Sequence, residues 1–201
     1  MDAYAKSKTP KEARDRRATP PSVFHRIEYV TGLTFMWDAC AETHTSKVPG
    51  RCWTKEDDAL SIDWHKALTD PSIPGHIPVV WMNPPYSNPD VWCAKAVEEA
   101  AKGLIVMGLL PDDRSTGWYL DHVEDVASVC WVPDKRISFH DEHGVPQDGN
   151  PKGSALPLWT PWRTRHTTYT RFNLEGSRTK PLVIATRDII IPPTIRRIRR
   201  K

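Results

Sequence analysis

The sequence predicts an α/β fold with a mostly parallel central sheet, antiparallel edge strands and helices on both faces. Three observations carry that reading. Two continuous apolar runs, IPVVWM (77–82) and LIVMGLL (104–110), have the character of strands buried on both faces. Between them, residues 90–102 repeat apolar positions with a helical period. After them come three short strand-like runs in succession, VASVCWV, RISF and SALPLW, the order expected of an antiparallel edge.

Taken along the chain, Thr19-Pro20-Pro21-Ser22 opens a helix, because prolines suit a first turn. Val23, Phe24, Ile27 and Val30 give that helix one apolar face, and Gly32 stops it. LTFMW (33–37) reads as a buried strand ending at Asp38, and residues 39–56 read as loop. WTKEDDALSIDW (53–64) mixes an acidic turn with a few apolar anchors. The helix over 90–102 turns Trp92, Ala96, Val97 and Ala100 inward and ends at Gly103. Ser115 caps a further helix reaching about Val123. TTYTRFN and KPLVIATRDIII are expected to pair as a hairpin across LEGS.

The 201 residues suit one domain with appendages. We expect a flexible N-terminal arm over 1–18, a main domain over 19–160, and a basic C-terminal extension over 161–201. The overall charge of +3 conceals an uneven distribution. Residues 160–201 hold 11 Lys and Arg against 2 acids, a net +9, whereas residues 1–159 hold 17 against 23, a net −6. The chain ends in Arg196, Arg197, Arg199, Arg200 and Lys201, a block that is either a solvated end or a footprint for a polyanion. The longest apolar run, Leu104 to Leu110, is far too short to span a bilayer, and the polar opening MDAYAKSKTPKEARDRR lacks a signal core. A cytoplasmic, non-membrane protein is expected. Cys40, Cys52, Cys93 and Cys130 match no zinc spacing and the histidines show no ligand spacing, so neither a metal nor a disulfide is expected.

The chemistry gathers at strand ends, where open α/β sheets bind their ligands. Asn83-Pro84-Pro85-Tyr86 directly follows the run IPVVWM. An amide, a rigid carbonyl and a flat ring around one point suit a planar, nitrogen-bearing group. The plain alternative is a turn, since Asn-Pro and Pro-Pro often end strands. Asp38 and the pair Asp57–Asp58 also fall near strand ends. One carboxylate there can accept from ribose hydroxyls or an ammonium, and another from an adenine amino group, which together would hold an adenosine-like cofactor. The plainer reading of Asp38 is a helix or turn cap, and of Asp57 a solvated neighbour of Asp58. Trp92 and Trp118 read as core.

In order, TPP (19–21), WDACAE (37–42), WTKEDDALSIDW (53–64), VWMNPPYS (80–87), LLPDDRSTGW (109–118), KRISF (135–139) and GSALPLW (153–159) resemble the phage-type DNA adenine methyltransferases. More broadly they are similar to the amino-methyltransferases that use S-adenosylmethionine (SAM). The resemblance covers about residues 15–160. It implies a Rossmann-like methyltransferase sheet and methyl transfer from SAM to the exocyclic amino nitrogen of adenine in DNA, in a phage-encoded enzyme of DNA modification and protection from restriction. Asn83, Pro84, Pro85 and Tyr86 fall on the family's catalytic motif, and an Asn in first place is similar to the adenine type rather than the cytosine type. Asp38 falls on the first cofactor loop, Asp58 on the adenosine-binding acid of an Asp-Gly-Leu segment, and Thr19 and Pro20 near the methionine end of SAM. Two departures stand out. No glycine-rich G-x-G follows the first strand, and the last 40 or so residues lie beyond the usual family end. Substrate contacts are expected from Tyr86, stacked on a flipped base, and from Arg196 and Arg197 on DNA. Alternatives are amino-methylation of RNA or of a protein glutamine, and a nucleic-acid-binding relative without catalysis.

Overall fold

The two long apolar runs become neighbouring strands because each has helices over both of its faces. The computed structural model describes residues 15, 17–42, 45–73, 75–141, 143–147, 152–162 and 165–175. Helix α1 (Pro21–Thr31) has prolines at its entry, and Gly32 at φ 67° donates its N–H to the Glu28 carbonyl as the left-handed stop. Strand β1 (Trp37–Asp38) precedes a single 3-10 turn at Lys55–Asp57 and the short helix α2 (Trp64–Leu68). Then come β2 (Val79–Met82), α3 (Pro89–Lys102), β3 (Ile105–Gly108), β4 (Leu110–Pro111), α4 (Gly117–His122) and β5 (Val129–Pro133). The small strands β6 (Phe139–His140) and β7 (Pro146–Gln147) are followed by β8 (Ser154–Trp159) and β9 (Thr168–Phe172).

Strand order in the main sheet is β1-β2-β3-β8-β5-β9, with β4 pairing β8. The pairs β1–β2, β2–β3 and β5–β9 are parallel, whereas β8 runs antiparallel to both β3 and β5. The antiparallel strand therefore lies inside the sheet, and every residue of SALPLW is buried. Period-two alternation divides the core into two layers. Trp81, Met107, Leu109, Val129, Trp131, Leu156 and Leu158 face α1, where Phe24, Ile27 and Val30 meet them. Val80, Met82, Val106, Leu110, Cys130 and Trp159 face α3 and α4. On the α1 side, Trp81 takes an edge-to-face contact from Phe24 at 5.2 Å and another from Phe35 at 5.3 Å. Truncating Trp81 to alanine is worth roughly 3–5 kcal/mol. On the opposite side, a Cβ at Gly108 would meet the Trp159 ring at 3.1 Å, so a larger residue there would press that indole away from β3 by a few tenths of an ångström.

Several expectations change. The run 33–37 supplies only the two-residue strand β1, although Met36 N–H still reaches the Val79 carbonyl and Phe35 is buried. The cap of α4 is Thr116, not Ser115, and its hydroxyl donates to the Asp113 carbonyl at 2.7 Å. RISF does not join the main sheet: β6 pairs with β7 in a separate two-stranded hairpin. Thr168–Phe172, expected as a hairpin arm, lies parallel to β5 over five residue pairs as the outermost strand of the sheet. The partner arm KPLVIATRDIII lies outside the described residues, as do residues 1–14 and the terminal arginines. Among the described residues no helix is long and apolar enough to cross a membrane.

Candidate active site

Parallel strands β1 and β2 end side by side, with Asp38 opposite Trp81 in register. Their following loops therefore diverge from neighbouring points and open a cleft of about 590 Å³, a size suited to a nucleoside-like molecule. Thr19, Asp38, Asp58, Asn83 and Pro85 all line it, drawn from four separate segments of the chain. Pro20, Pro84 and Tyr86 are not among its lining side chains, and Pro20 and Pro84 are buried.

Asn83 sits at the first position past β2. Its Nδ2 donates to the Arg17 carbonyl at 3.3 Å. A carbonyl can only accept, so that partner fixes which end of the amide is nitrogen and turns Oδ1 the other way, as an acceptor. Pro84 is buried, and among the described residues no hydrogen bond ends on its carbonyl. Tyr86 is half-buried and packs edge-to-face on Phe139 at 5.9 Å and 88°. Its hydroxyl is buried beside Ser154, and burial pushes the phenol well above its ordinary range.

Asp38 is only 2% exposed. Its Oδ2 accepts the Lys47 N–H at 2.8 Å and its Oδ1 the Cys40 N–H at 3.3 Å, so the carboxylate ties down both ends of the loop it opens. Burial raises the Asp38 pKa, against the pull of those two backbone donors. Lys47 faces the same cleft, and burial lowers its pKa despite the nearby Asp38 charge. Thr19 is 1% exposed and lines the cleft, and its hydroxyl has no partner.

Asp57 and Asp58 separate clearly. Asp57 Oδ2 accepts from the Thr54 N–H at 2.7 Å and from the Thr54 hydroxyl at 3.0 Å, closing a capping box around the 3-10 turn. Asp58 terminates that turn at φ 47°, a left-handed conformation that aspartate tolerates better than most residues. Its side chain is exposed on the cleft wall, and among the described residues its carboxylate has no hydrogen-bond or ion-pair partner.

The acidic loop is held from behind. Trp64, fully buried, donates its indole N–H to the Ala59 carbonyl at 2.7 Å. Glu99 of α3, also fully buried, accepts the His65 N–H at 2.9 Å and pairs with Lys95 at 2.7 Å and Lys102 at 3.0 Å. Burial alone would raise the Glu99 carboxyl, but these donors outweigh it and hold its pKa below the ordinary value.

Lys47, Trp53 and Trp92 also line the cleft, and sequence reasoning gave none of them a role there. Trp92 still packs against the core, so both readings of it hold. Lys47 and Trp53 sit in stretches without periodicity; the Asp38 carboxylate takes the Lys47 N–H, the Asp38 carbonyl takes the Trp53 N–H at 2.9 Å, and the Trp53 ring packs against Trp37 and Trp64. Arg196 and Arg197 lie outside the described residues.

A family model described as DNA N-6-adenine-methyltransferase (Dam) matches residues 6–181. A protein named DNA N-6-adenine-methyltransferase from Haemophilus phage HP1 is 34% identical over 158 residues, which is 78% of this chain and 84% of the phage protein. A protein of the same name from Escherichia phage T1 is 30% identical over 169 residues, covering 76% of this chain and 66% of that protein. No solved structure matches the chain at a significant level.

Proposed function

The chain belongs to the DNA N-6-adenine-methyltransferase (Dam) family, and from that premise we propose how its cleft methylates adenine. It is a phage-type, adenine-specific DNA methyltransferase; the finer reading is that it acts at a particular DNA sequence, in the host cytoplasm, as a modification that protects phage DNA from restriction. The observation that supports the reading most is the meeting of Asn83, Thr19, Asp38 and Asp58 around one cleft.

The residues present suit SAM. Asp58 offers a carboxylate without a partner, and Thr19 a buried hydroxyl without one, so the cleft holds unused polar capacity where an adenosine and its amino-acid end need it. In this reading Asp58 takes an adenosine donor, Asp38 shapes the first cofactor loop, and Thr19 and Pro20 border the methionine end. When bound, SAM supplies a methyl group on a positively charged sulfur.

The chain's own work concerns the target amine. An exocyclic amine on adenine is a weak nucleophile because its lone pair is delocalised into the ring. Asn83 Oδ1 and the Pro84 carbonyl accept its two hydrogens, favour a tetrahedral nitrogen and free the lone pair. Pro85 has no N–H and a fixed φ, which stiffens the direction of that carbonyl. Positive charge grows on nitrogen during transfer and two preorganised acceptors stabilise it; the surplus proton leaves to water after transfer, so no strong base is required before then. A duplex adenine must leave its stack to reach the site. Tyr86 stands beside the cleft rather than in its lining, packed on Phe139, and from there its ring would meet the extruded base; Arg196 and Arg197 would meet phosphates through the basic extension.

Incubation with methyl-labelled SAM and, separately, DNA, RNA and total protein tests this reading. The expected label is N6-methyladenine in DNA alone. Label in RNA or in glutamine would replace the substrate, and no label with no SAM binding would favour a non-catalytic relative.

A further inference from the structure

We infer that the β6–β7 hairpin is a positioning element for the catalytic tip, gripping both ends of Asn83–Tyr86 through two consecutive residues. The inference rests on the role proposed above for Asn83. Phe139 takes the Tyr86 ring edge-to-face at one end of the tip. His140, the next residue, exchanges two backbone hydrogen bonds with Ala18, N–H to carbonyl at 2.9 Å and carbonyl from N–H at 2.8 Å. That exchange fixes the chain at Ala18, and the carbonyl immediately before it, on Arg17, receives the Asn83 amide. Successive β residues face opposite ways, so one two-residue strand reaches Tyr86 with a side chain and Asn83 through the backbone.

The grip depends on the hairpin keeping its shape. A two-stranded hairpin is marginal in isolation. Here the Asp141 side chain closes the turn: its Oδ1 accepts the His143 and Val145 N–H groups, each at 2.9 Å, and its Oδ2 accepts from Gln147 Nε2 at 2.8 Å. Asp141 does not line the cleft and touches none of the proposed catalytic residues. Val145, in that turn, is 52% exposed. The β6–β7 hairpin lies outside the main sheet, so loosening it leaves the strands that build the cleft intact. The consequence should be a loss of amide orientation at Asn83 with no loss of cofactor binding.

Asp141→Ala, Asp141→Asn and Ala18→Pro in the full chain test this, by turnover at saturating SAM and DNA, SAM affinity by titration, and melting temperature. Asp141→Ala should lower kcat roughly three- to tenfold. Asp141→Asn, which keeps an oxygen for both turn amides, should recover at least half of that. Ala18→Pro removes the N–H given to His140 and should lower kcat tenfold or more. SAM affinity should stay within about threefold in both Asp141 variants; Ala18 lines the cleft beside Thr19, so Ala18→Pro is read by kcat alone. Unchanged kcat in Asp141→Ala would overturn the inference, as would losses that track SAM affinity or melting temperature, or a failure of Asp141→Asn to recover. Wild-type protein without adenine methylation, or full turnover by Asn83→Ala, would instead sink the parent reading and is visible in the same assay.

Discussion

The catalytic tip at residues 83–86 and the acidic loop at residues 53–64 face one another across the cleft, yet they are anchored from opposite sides of the sheet. The tip is held on the α1 side: Asn83 on the Arg17 carbonyl, Tyr86 against Phe139. The loop is held on the α3 side: Trp64 on the Ala59 carbonyl, His65 on Glu99. The tip's side chains already have partners within the protein, whereas Asp58 stands exposed with its carboxylate unused. A group that must orient a reacting amine benefits from being fixed beforehand, because catalysis needs preorganised dipoles. A group that captures a cofactor needs capacity left open. The two regions should therefore fail in different ways.

The largest failure is expected at the tip. Asn83→Ala should lower transfer by roughly a thousandfold, by analogy with losing one donor of a preorganised polar site. SAM affinity, measured by titration, should be unchanged. Asp58→Ala should do the reverse, weakening SAM about ten- to hundredfold, the range for a hydrogen bond to a charged group, while kcat at saturating SAM is retained. If both variants lost the same parameter, the separation of tip and loop would be wrong. Tyr86→Ala should weaken DNA carrying an unpaired target adenine by roughly 1–3 kcal/mol, the worth of one stacked base; equal affinity of variant and wild type for that DNA would remove the stacking role.

The smallest effect concerns the clamp behind the loop, and it depends on pH. Glu99 is held below its ordinary value of 4.5, so its ion pairs stabilise the fold above that pH and are lost as pH falls through the lower folded value. Glu99→Gln should melt a few degrees (about 2–4 °C) lower at neutral pH, since Lys95 keeps its charge without a full partner. The two melting curves should converge only as the pH falls through the depressed folded value, below 4.5. Parallel curves across the whole range would show that the carboxylate charge contributes nothing there.

What the sequence revealed follows the same division between local and distant. The apolar runs 77–82 and 104–110 were legible as strands, and Val79–Met82 and Ile105–Gly108 form within them, covered on both faces. The tip was legible because its chemistry lies within four consecutive residues. Three features were not. β7 is a Pro-Gln pair with no strand character, so nothing in the residues announced a partner for RISF. Thr168–Phe172 had a nearer pairing in prospect across LEGS, and only the assembled sheet shows it beside β5 as the outermost strand. The bond from Asn83 to Arg17 spans 66 residues and ends on a backbone carbonyl, which carries no mark of residue type. Asp58 was already set apart from its neighbour Asp57 by the resemblance, but that Asp57 closes a capping box around the turn while Asp58 faces the cleft shows only in the structure.

The most direct test of the central claim is the N6-methyladenine content of DNA from cells expressing the wild-type chain or Asn83→Ala, both at equal abundance. The account predicts methylated adenine at one recurring sequence with the wild type, and background levels with the variant although its purified form binds SAM normally. Methylation by the variant at the wild-type level, or none by a wild-type protein that binds SAM, would contradict it.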